Sequence, residues 1–484
     1  MSSGILDRFK IVQGFDSYSA SRTDIWEAID TVTGMPCIFK VFVSDFFSTD
    51  MATGKDSHET PMTVSGLAHE LNVYKAARKY LVEDPNINCR NVLCIVGEGS
   101  FTAMELAQTL KTHTALTMPN IQYNIYRNTL FLLRLKEKPR YAITRAVRNP
   151  PPLRMSNLQI AIEHGAERIR LDLPITYHCM ITPKIDRMSL EDGIFKGKVN
   201  LQSCLRYLFL IFVTLLLMSA VGLNQNDLHW SNILLSASYA GPSPRHKKNY
   251  FIVFNNELIL IDNPFIPIIY DFDRASMQNR RVESLEERKD IYSVGGNCPR
   301  YHPKRDFVKT LCCVYHYCKT LRKLIPGEST QIKQIQHEIM NELIQSDSIR
   351  TAILNSSEAC WMSTEDDTSS LLCFDKELIR DVASRNRLIQ WCADKCNYQK
   401  CTLPELADVA RRKNASPSFG KVMQMCKVFV KDMTPEHWAT PVETKAVIRT
   451  NIQIVNYNQK FNVSTSRTQL YARLTEQLFS ILKS

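Results

Sequence analysis

Ile25 to Ile29 reads as a strand of period two centred on the polar Glu27, and a second apolar run extends from Cys37 to Val43 with a lysine, Lys40, inside it. A period of two marks a half-buried strand. Phe9 to Val12 forms a shorter apolar run ahead of them, Gly14 to Arg22 is small and polar, and Thr31 to Gly34 reads as a turn. The polar stretch Ser44 to Ser65 reads as a loop. Leu67 to Leu81 then has helical spacing, with Leu71, Tyr74 and Ala77 on one face and Glu70 nearby. Val92 to Val96 predicts another short strand. The first hundred residues therefore predict a small sheet carrying one helix.

The pattern changes further on. Helical fragments are predicted around Tyr123 to Leu135 and near Asn157 to Arg168, on either side of a proline run at Pro150 to Pro152. Thr176 to Ile181 reads as a strand ending at Pro183. From Tyr207 to Leu223 the chain runs 17 residues without a charge. That is at the lower limit for a membrane span of about 20 residues. A helix apolar all round also sits inside a large soluble domain. The polar segment that follows, Asn-Gln-Asn-Asp-Leu-His-Trp-Ser-Asn, bears on that choice. Strands are predicted between Tyr250 and Phe272, with Asn255-Asn256 as the hairpin turn and a Pro/Gly loop before them. From Asp306 onward the pattern is mainly helical. There is no internal repeat. The sum is an α+β chain, sheet-rich first and helical afterwards.

Composition narrows the class. With 44% apolar and 23% charged residues, the 484-residue chain is neither wholly disordered nor collagen-like nor a disulfide-held mini-protein. The formal charge is +11, which favours polyanionic partners. Between Arg134 and Arg170 nine Lys/Arg stand against three Asp/Glu, so +6 of it lies in one stretch. That stretch lacks the interleaved aromatic platforms on which single strands stack. Nucleic acid is therefore not expected as its partner, and an acidic surface is. Fifteen scattered cysteines, and a start without an apolar leader, predict an intracellular chain with reduced thiols. Cys392, Cys396 and Cys401 have no histidine beside them and read as ordinary thiols rather than a zinc site.

Five polar features recur in order: Lys40 in its apolar strand, Glu70 on the next helix, Asp227 and Asn232 after the apolar helix, Asp271 and Asp273 closing PIIYDFD, and Asp306 opening a helix. Alone, each reads as a solvated face or a cap. Together they match the needs of phosphoryl transfer from ATP: a lysine on the phosphates, an acid holding it, oxygen ligands for Mg²⁺ and a carboxylate beside the attacking hydroxyl.

AIDTVTGMPCIFK is similar to the A-x-D-x-x-T-G-x-x-V-A-I-K of eukaryotic-type protein kinases, and NDLHWSNILL to H-R-D-L-K-x-x-N-I-L. YDFD stands where that family has DFG. The chain resembles these kinases over roughly residues 9–320, and within them the divergent kinase-like proteins of large DNA viruses such as iridoviruses and ascoviruses. The resemblance implies a two-lobed, protein-kinase-like α+β fold with insertions. Its N-lobe would be 1–185 with a basic insertion at about 104–170, its C-lobe core 186–330, and 331–484 a helical part of that lobe or an extension.

The resemblance also implies roles. Asp227 would be the catalytic base. Lys40 would bind the ATP phosphates and Glu70 would hold it. Gly14 would sit in the phosphate loop, and Met180 and Ile181 in the hinge that meets adenine. Asn232 and Asp271 would ligate Mg²⁺. The implied function is an ATP- and Mg²⁺-dependent kinase acting on Ser/Thr hydroxyls of protein substrates, viral, in the host cytoplasm or the virion, without membrane insertion.

The departures are specific. Gly14 is the one glycine of the phosphate loop where the family has three. Gln225 and Asn226 replace the His and Arg of HRD, which predicts activity without activation-loop phosphorylation. His229 replaces the usual lysine two after the base, a form also found in small-molecule kinases such as aminoglycoside phosphotransferases. A pseudokinase scaffold and a small-molecule kinase therefore stand as alternatives.

Overall fold

The computed structural model describes residues 4–14, 24–43, 64–83, 89–102, 105, 109, 159–164, 167–172, 176–185, 188–239, 249–255, 257–261, 263–272, 275–277, 303–355, 382–398, 400–402 and 452–457. These fall into two compact units. One lies within Met1–Tyr74 and Cys94–Lys184, the other within Lys75–Leu93, Ile185–Leu285 and Asn297–Ser484. The order expected from the sequence, sheet first and helices afterwards, holds among the described residues.

The first unit opens with a single helical turn, α1 (Ile5–Arg8), and is built on a five-stranded antiparallel sheet. Its strands are β1 (Phe9–Gly14), β2 (Asp24–Asp30), β3 (Pro36–Val43), β4 (Gly97–Thr102) and β7 (Thr176–Pro183), in the order β1-β2-β3-β7-β4. Alternation decides the faces. Cys37, Phe39 and Val41 of β3 are buried, while Ile38 and Lys40 between them are half-buried. Phe9, Trp26 and Phe39 are fully enclosed and form the centre of this core. Phe9 meets Phe39 edge to face at 5.6 Å, an arrangement favoured by the ring quadrupoles. Helix α2 (Val64–Ala77) follows β3 in the chain and carries Glu70.

The β2–β3 turn shows why the sequence D-T-V-T-G folds as it does. Asp30 accepts from the Val32 amide at 3.1 Å and from the Thr33 hydroxyl at 3.0 Å, and Gly34 takes φ +70°. A short aspartate side chain that bonds its own turn, followed by a glycine with positive φ, reverses the strand without strain. The Arg8 guanidinium adds a bond at 3.0 Å. Its hydrogen bonding, the largest cause, holds the Asp30 carboxyl at about 2.

One expectation is corrected here. Residues 157–168 are not helical where described: β5 (Gln159–His164) and β6 (Glu167–Asp172) pair as an antiparallel hairpin. Ile160 and Ile162, then Ile169 and Leu171, follow a period of two, which suits a strand. The fragment around 123–135, and most of the basic stretch, lie outside the described residues.

The second unit is mainly helical. After α3 (Leu190–Phe195) comes α4 (Leu201–Ala220), capped by Asn200, whose side chain accepts from the Ser203 amide at 2.8 Å. By length and composition α4 could cross a membrane, yet an unbroken run of its residues from Tyr207 to Ser219 is buried inside the protein. Phe212 stacks on Phe307 at 5.3 Å, which ties α4 to α5 (Arg305–Leu324). The helices α6 (Ser329–Glu338), α7 (Asp347–Asn355) and α8 (Arg385–Lys395) follow. Cys392 of α8 donates to the Leu205 carbonyl of α4 at 3.3 Å.

Short strands complete this unit. β8 (Leu223–Asn224) pairs with β13 (Ser276–Met277), and β9 (Ile233–Ser236) with β12 (Ile266–Ile269). β10 (Asn249–Phe254) and β11 (Glu257–Ile261) form the hairpin expected at Asn255, which takes φ +48°. β14 (Lys400–Thr402) and β15 (Ile452–Tyr457) flank that hairpin in a four-stranded sheet. Of Val92 to Val96, Val92 pairs in an isolated parallel bridge with Ile269, and the strand expected there begins instead at Gly97 as β4.

Candidate active site

In the first unit, Lys40 sits mid-strand on β3 and reaches Glu70 of α2. Its Nζ lies 3.0 and 2.9 Å from the two carboxylate oxygens. Glu70 is fully buried, whereas the Lys40 side chain keeps 17% of its surface exposed. A buried carboxylate is costly unless paired, so Glu70 is committed to Lys40.

Gly14 ends β1, opposite Trp26, and residues 15–19 after it lie outside the described residues. Met180 and Ile181 lie inside β7, each paired on both sides: Met180 with Lys40 and Glu98, Ile181 with Phe39 and Gly97. The Ile181 carbonyl accepts from the Val96 amide at 2.8 Å. Both side chains are buried. The strand ends at Pro183, so these two residues stand just ahead of the point where the backbone leaves the sheet.

In the second unit, the segment after β8 carries Asp227. Three side chains fix it. Gln225 accepts from the Asp227 amide at 2.7 Å and donates to the carbonyls of Tyr270 at 3.2 Å and Asp271 at 2.7 Å. Asp306, at the start of α5, accepts from the Gln225 amide at 2.7 Å and the Asn226 amide at 2.9 Å. Asn232 donates through Nδ2 to the Asp227 carbonyl at 3.0 Å. Asn226 and Asp271 both take positive φ, +64° and +61°. Asn and Asp tolerate that region better than other residues with a Cβ.

The Asp227 carboxylate is itself nearly enclosed. Lys309 of α5 reaches its Oδ1 at 2.9 Å, and His229 Nε2 stands 3.8 Å from its Oδ2. Burial pushes the His229 imidazole below its usual value, against the pull of Asp227. Burial pushes the Asp306 carboxyl above its usual value, and the Gln225 and Asn226 amides oppose that rise.

The donor set suits a hard cation. With its Nδ2 committed, Asn232 has an amide oxygen to offer, and Asp271 has a carboxylate. Mg²⁺ takes one or two protein oxygens and completes its shell with water and phosphate. Two protein ligands are therefore enough, although among the described residues no three His, Cys, Asp or Glu gather as a metal cluster. Asp273 lies outside the described residues. Cys392 and Cys396 are buried thiols, and burial pushes Cys392 well up.

Two residues of this cluster are absent from the set of candidates that the sequence supplies. Gln225 stands out there only as a departure from the family pattern. Lys309 stands three after Asp306 in the apolar run DFVKTLCCV, so the two share one face of α5. A lysine in such a run is the available signal.

No family model matches the chain, and no curated protein matches it. A search of solved structures finds a likeness to the one titled "Crystal structure of Rad53 kinase domain and SCD2". It has 13% sequence identity and a TM-score of 0.28, and covers 82% of this chain and 100% of that one.

Proposed function

We propose that the protein is an ATP- and Mg²⁺-dependent protein kinase that transfers the γ-phosphate to Ser/Thr hydroxyls. The observation that carries the reading is Gln225. One side chain joins the amide of Asp227 to the carbonyl of Asp271, so the expected base and the expected metal ligand are held by a single group.

The chemistry follows from the residues. Lys40, oriented by Glu70, supplies positive charge for phosphate oxygens. Asn232 and Asp271 would hold Mg²⁺ through hard oxygens, and the ion would neutralise phosphate charge when bound. Asp227 accepts the proton of the attacking hydroxyl. The hydroxyl oxygen forms a bond to the γ-phosphorus, the bond from that phosphorus to the bridging oxygen breaks, and ADP leaves with the electron pair. The viral origin and the intracellular setting suggested by the resemblance belong to the same proposal.

The test is incubation of purified protein with γ-labelled ATP and Mg²⁺, with a generic basic protein and a panel of small amines and alcohols in parallel. Label on protein serine or threonine supports the reading. Label on small molecules alone would make this a small-molecule kinase. No transfer to any acceptor would leave a scaffold and overturn the proposal.

A further inference from the structure

Helix α5 touches the Asp227 segment twice. Asp306 binds its backbone at the Gln225 and Asn226 amides, and Lys309, one turn later, binds its side chain at Asp227 Oδ1, 2.9 Å away. Lys309 and Asp227 are 5% and 6% exposed. A helix turn that grips both the main chain and the carboxylate fixes where that carboxylate points. His229 does not compete for this work, since its Nε2 at 3.8 Å is outside hydrogen-bond reach of Oδ2.

We propose that Lys309 is a positioning residue for the transfer reaction: it pins Asp227 through Oδ1 and so sets the direction of Oδ2 before a hydroxyl arrives. The inference rests on the proposed kinase activity and deepens it. The cation that orients the base comes from a helix 82 positions downstream in the chain, and not from the catalytic segment itself. The substitution His229→Lys would place a cation on the Oδ2 side of the same carboxylate.

The experiment compares wild type with Lys309→Met, Lys309→Arg and the double variant Lys309→Met/His229→Lys, reading kcat and KM for ATP separately. General-base catalysis is worth about 10²-fold or more. Lys309→Met should therefore lower kcat by about 10²-fold with KM for ATP little changed. Lys309→Arg should recover most of that loss, and the double variant should recover part of it. If Lys309→Met does not fold, the other two variants still decide. An active double variant supports the role, and a double variant and Lys309→Arg that both fold and both lack activity count against it. A folded Lys309→Met with the wild-type kcat would overturn the inference and leave the kinase reading standing. So would equal loss in all three variants while wild type transfers phosphate. Absence of transfer by wild type would overturn the kinase reading and this inference with it.

Discussion

The Gln225 side-chain amide donates to the Asp271 carbonyl at 2.7 Å while its oxygen accepts from the Asp227 amide at the same distance. Both ends of one planar group are used, so neither segment can shift without breaking a bond to the other. Gln225→Ala removes both bonds. Outer partners of metal ligands are worth about 10–100-fold in affinity or activity. The expected result is a loss of that order in phosphoryl transfer, with the Mg²⁺ midpoint of activity moved upward. A Mg²⁺ titration of Gln225→Ala that overlays wild type would show that the bridge does not support the metal segment.

The Asp306 carboxyl accepts from two buried amides. Asp306→Ala leaves both without that acceptor. A buried unsatisfied group costs about 1–3 kcal/mol, so Asp306→Ala should lose about 3 kcal/mol or more in urea unfolding at pH 7. Asp306→Asn keeps one acceptor oxygen and should lose less. Equal stability of the two variants would contradict the account of Asp306 as the anchor of this segment.

Much of this is readable from the chain. Strands β2 and β3 are legible because short apolar runs, each broken by one charged residue (Glu27 and Lys40), lie on either side of a turn sequence, and the β10–β11 hairpin because Asn255 suits positive φ. Helix α4 starts at Leu201, six residues before the uncharged run, because Asn200 caps it, and Arg206 within it donates to the Asn397 carbonyl. Strand β4 is not legible. Its sequence, GEGSFT, has weak strand propensity, and tertiary contact forms it: a Cβ on Gly97 would come within 3.1 Å of the Phe9 ring. At the candidate site the residue types and their order are legible. The partners are not, because the pairing of Lys309 with Asp227 spans 82 positions and is set by packing alone.

The Lys40–Glu70 pair makes a prediction about nucleotide. Glu70→Gln keeps the size of the side chain and removes the charge that orients Lys40. A charge-assisted hydrogen bond is worth about 1.5–3 kcal/mol, which is at least about tenfold in affinity. Glu70→Gln should therefore weaken ATP binding by about tenfold or more, and Lys40→Met should weaken it at least as much. Calorimetric titration with Mg-ATP checks this, and unchanged affinity in both variants would remove Lys40 from the site.

His316 of α5 links stability to pH. Burial, with a smaller contribution from Lys319, lowers its imidazole from 6.5 to about 4. The unfolded chain therefore binds a proton at a higher pH than the folded one does. Between these two values stability rises with pH, and the contribution of His316 is lost as pH falls from 6.5 toward 4. Urea unfolding of His316→Gln across this range should show a shallower dependence on pH than wild type. Parallel curves would show that His316 is not the group responsible.

In the proposed reaction Asp227 is the base of a phosphoryl transfer for which Asn232 and Asp271 bind the metal. The most direct measurement is the rate of γ-phosphate transfer from Mg-ATP by wild type and Asp227→Asn, with nucleotide binding measured on the same samples. Wild type should transfer phosphate, and Asp227→Asn should bind Mg-ATP comparably but transfer slower by about 10²-fold or more. Transfer by Asp227→Asn at the wild-type rate would contradict it.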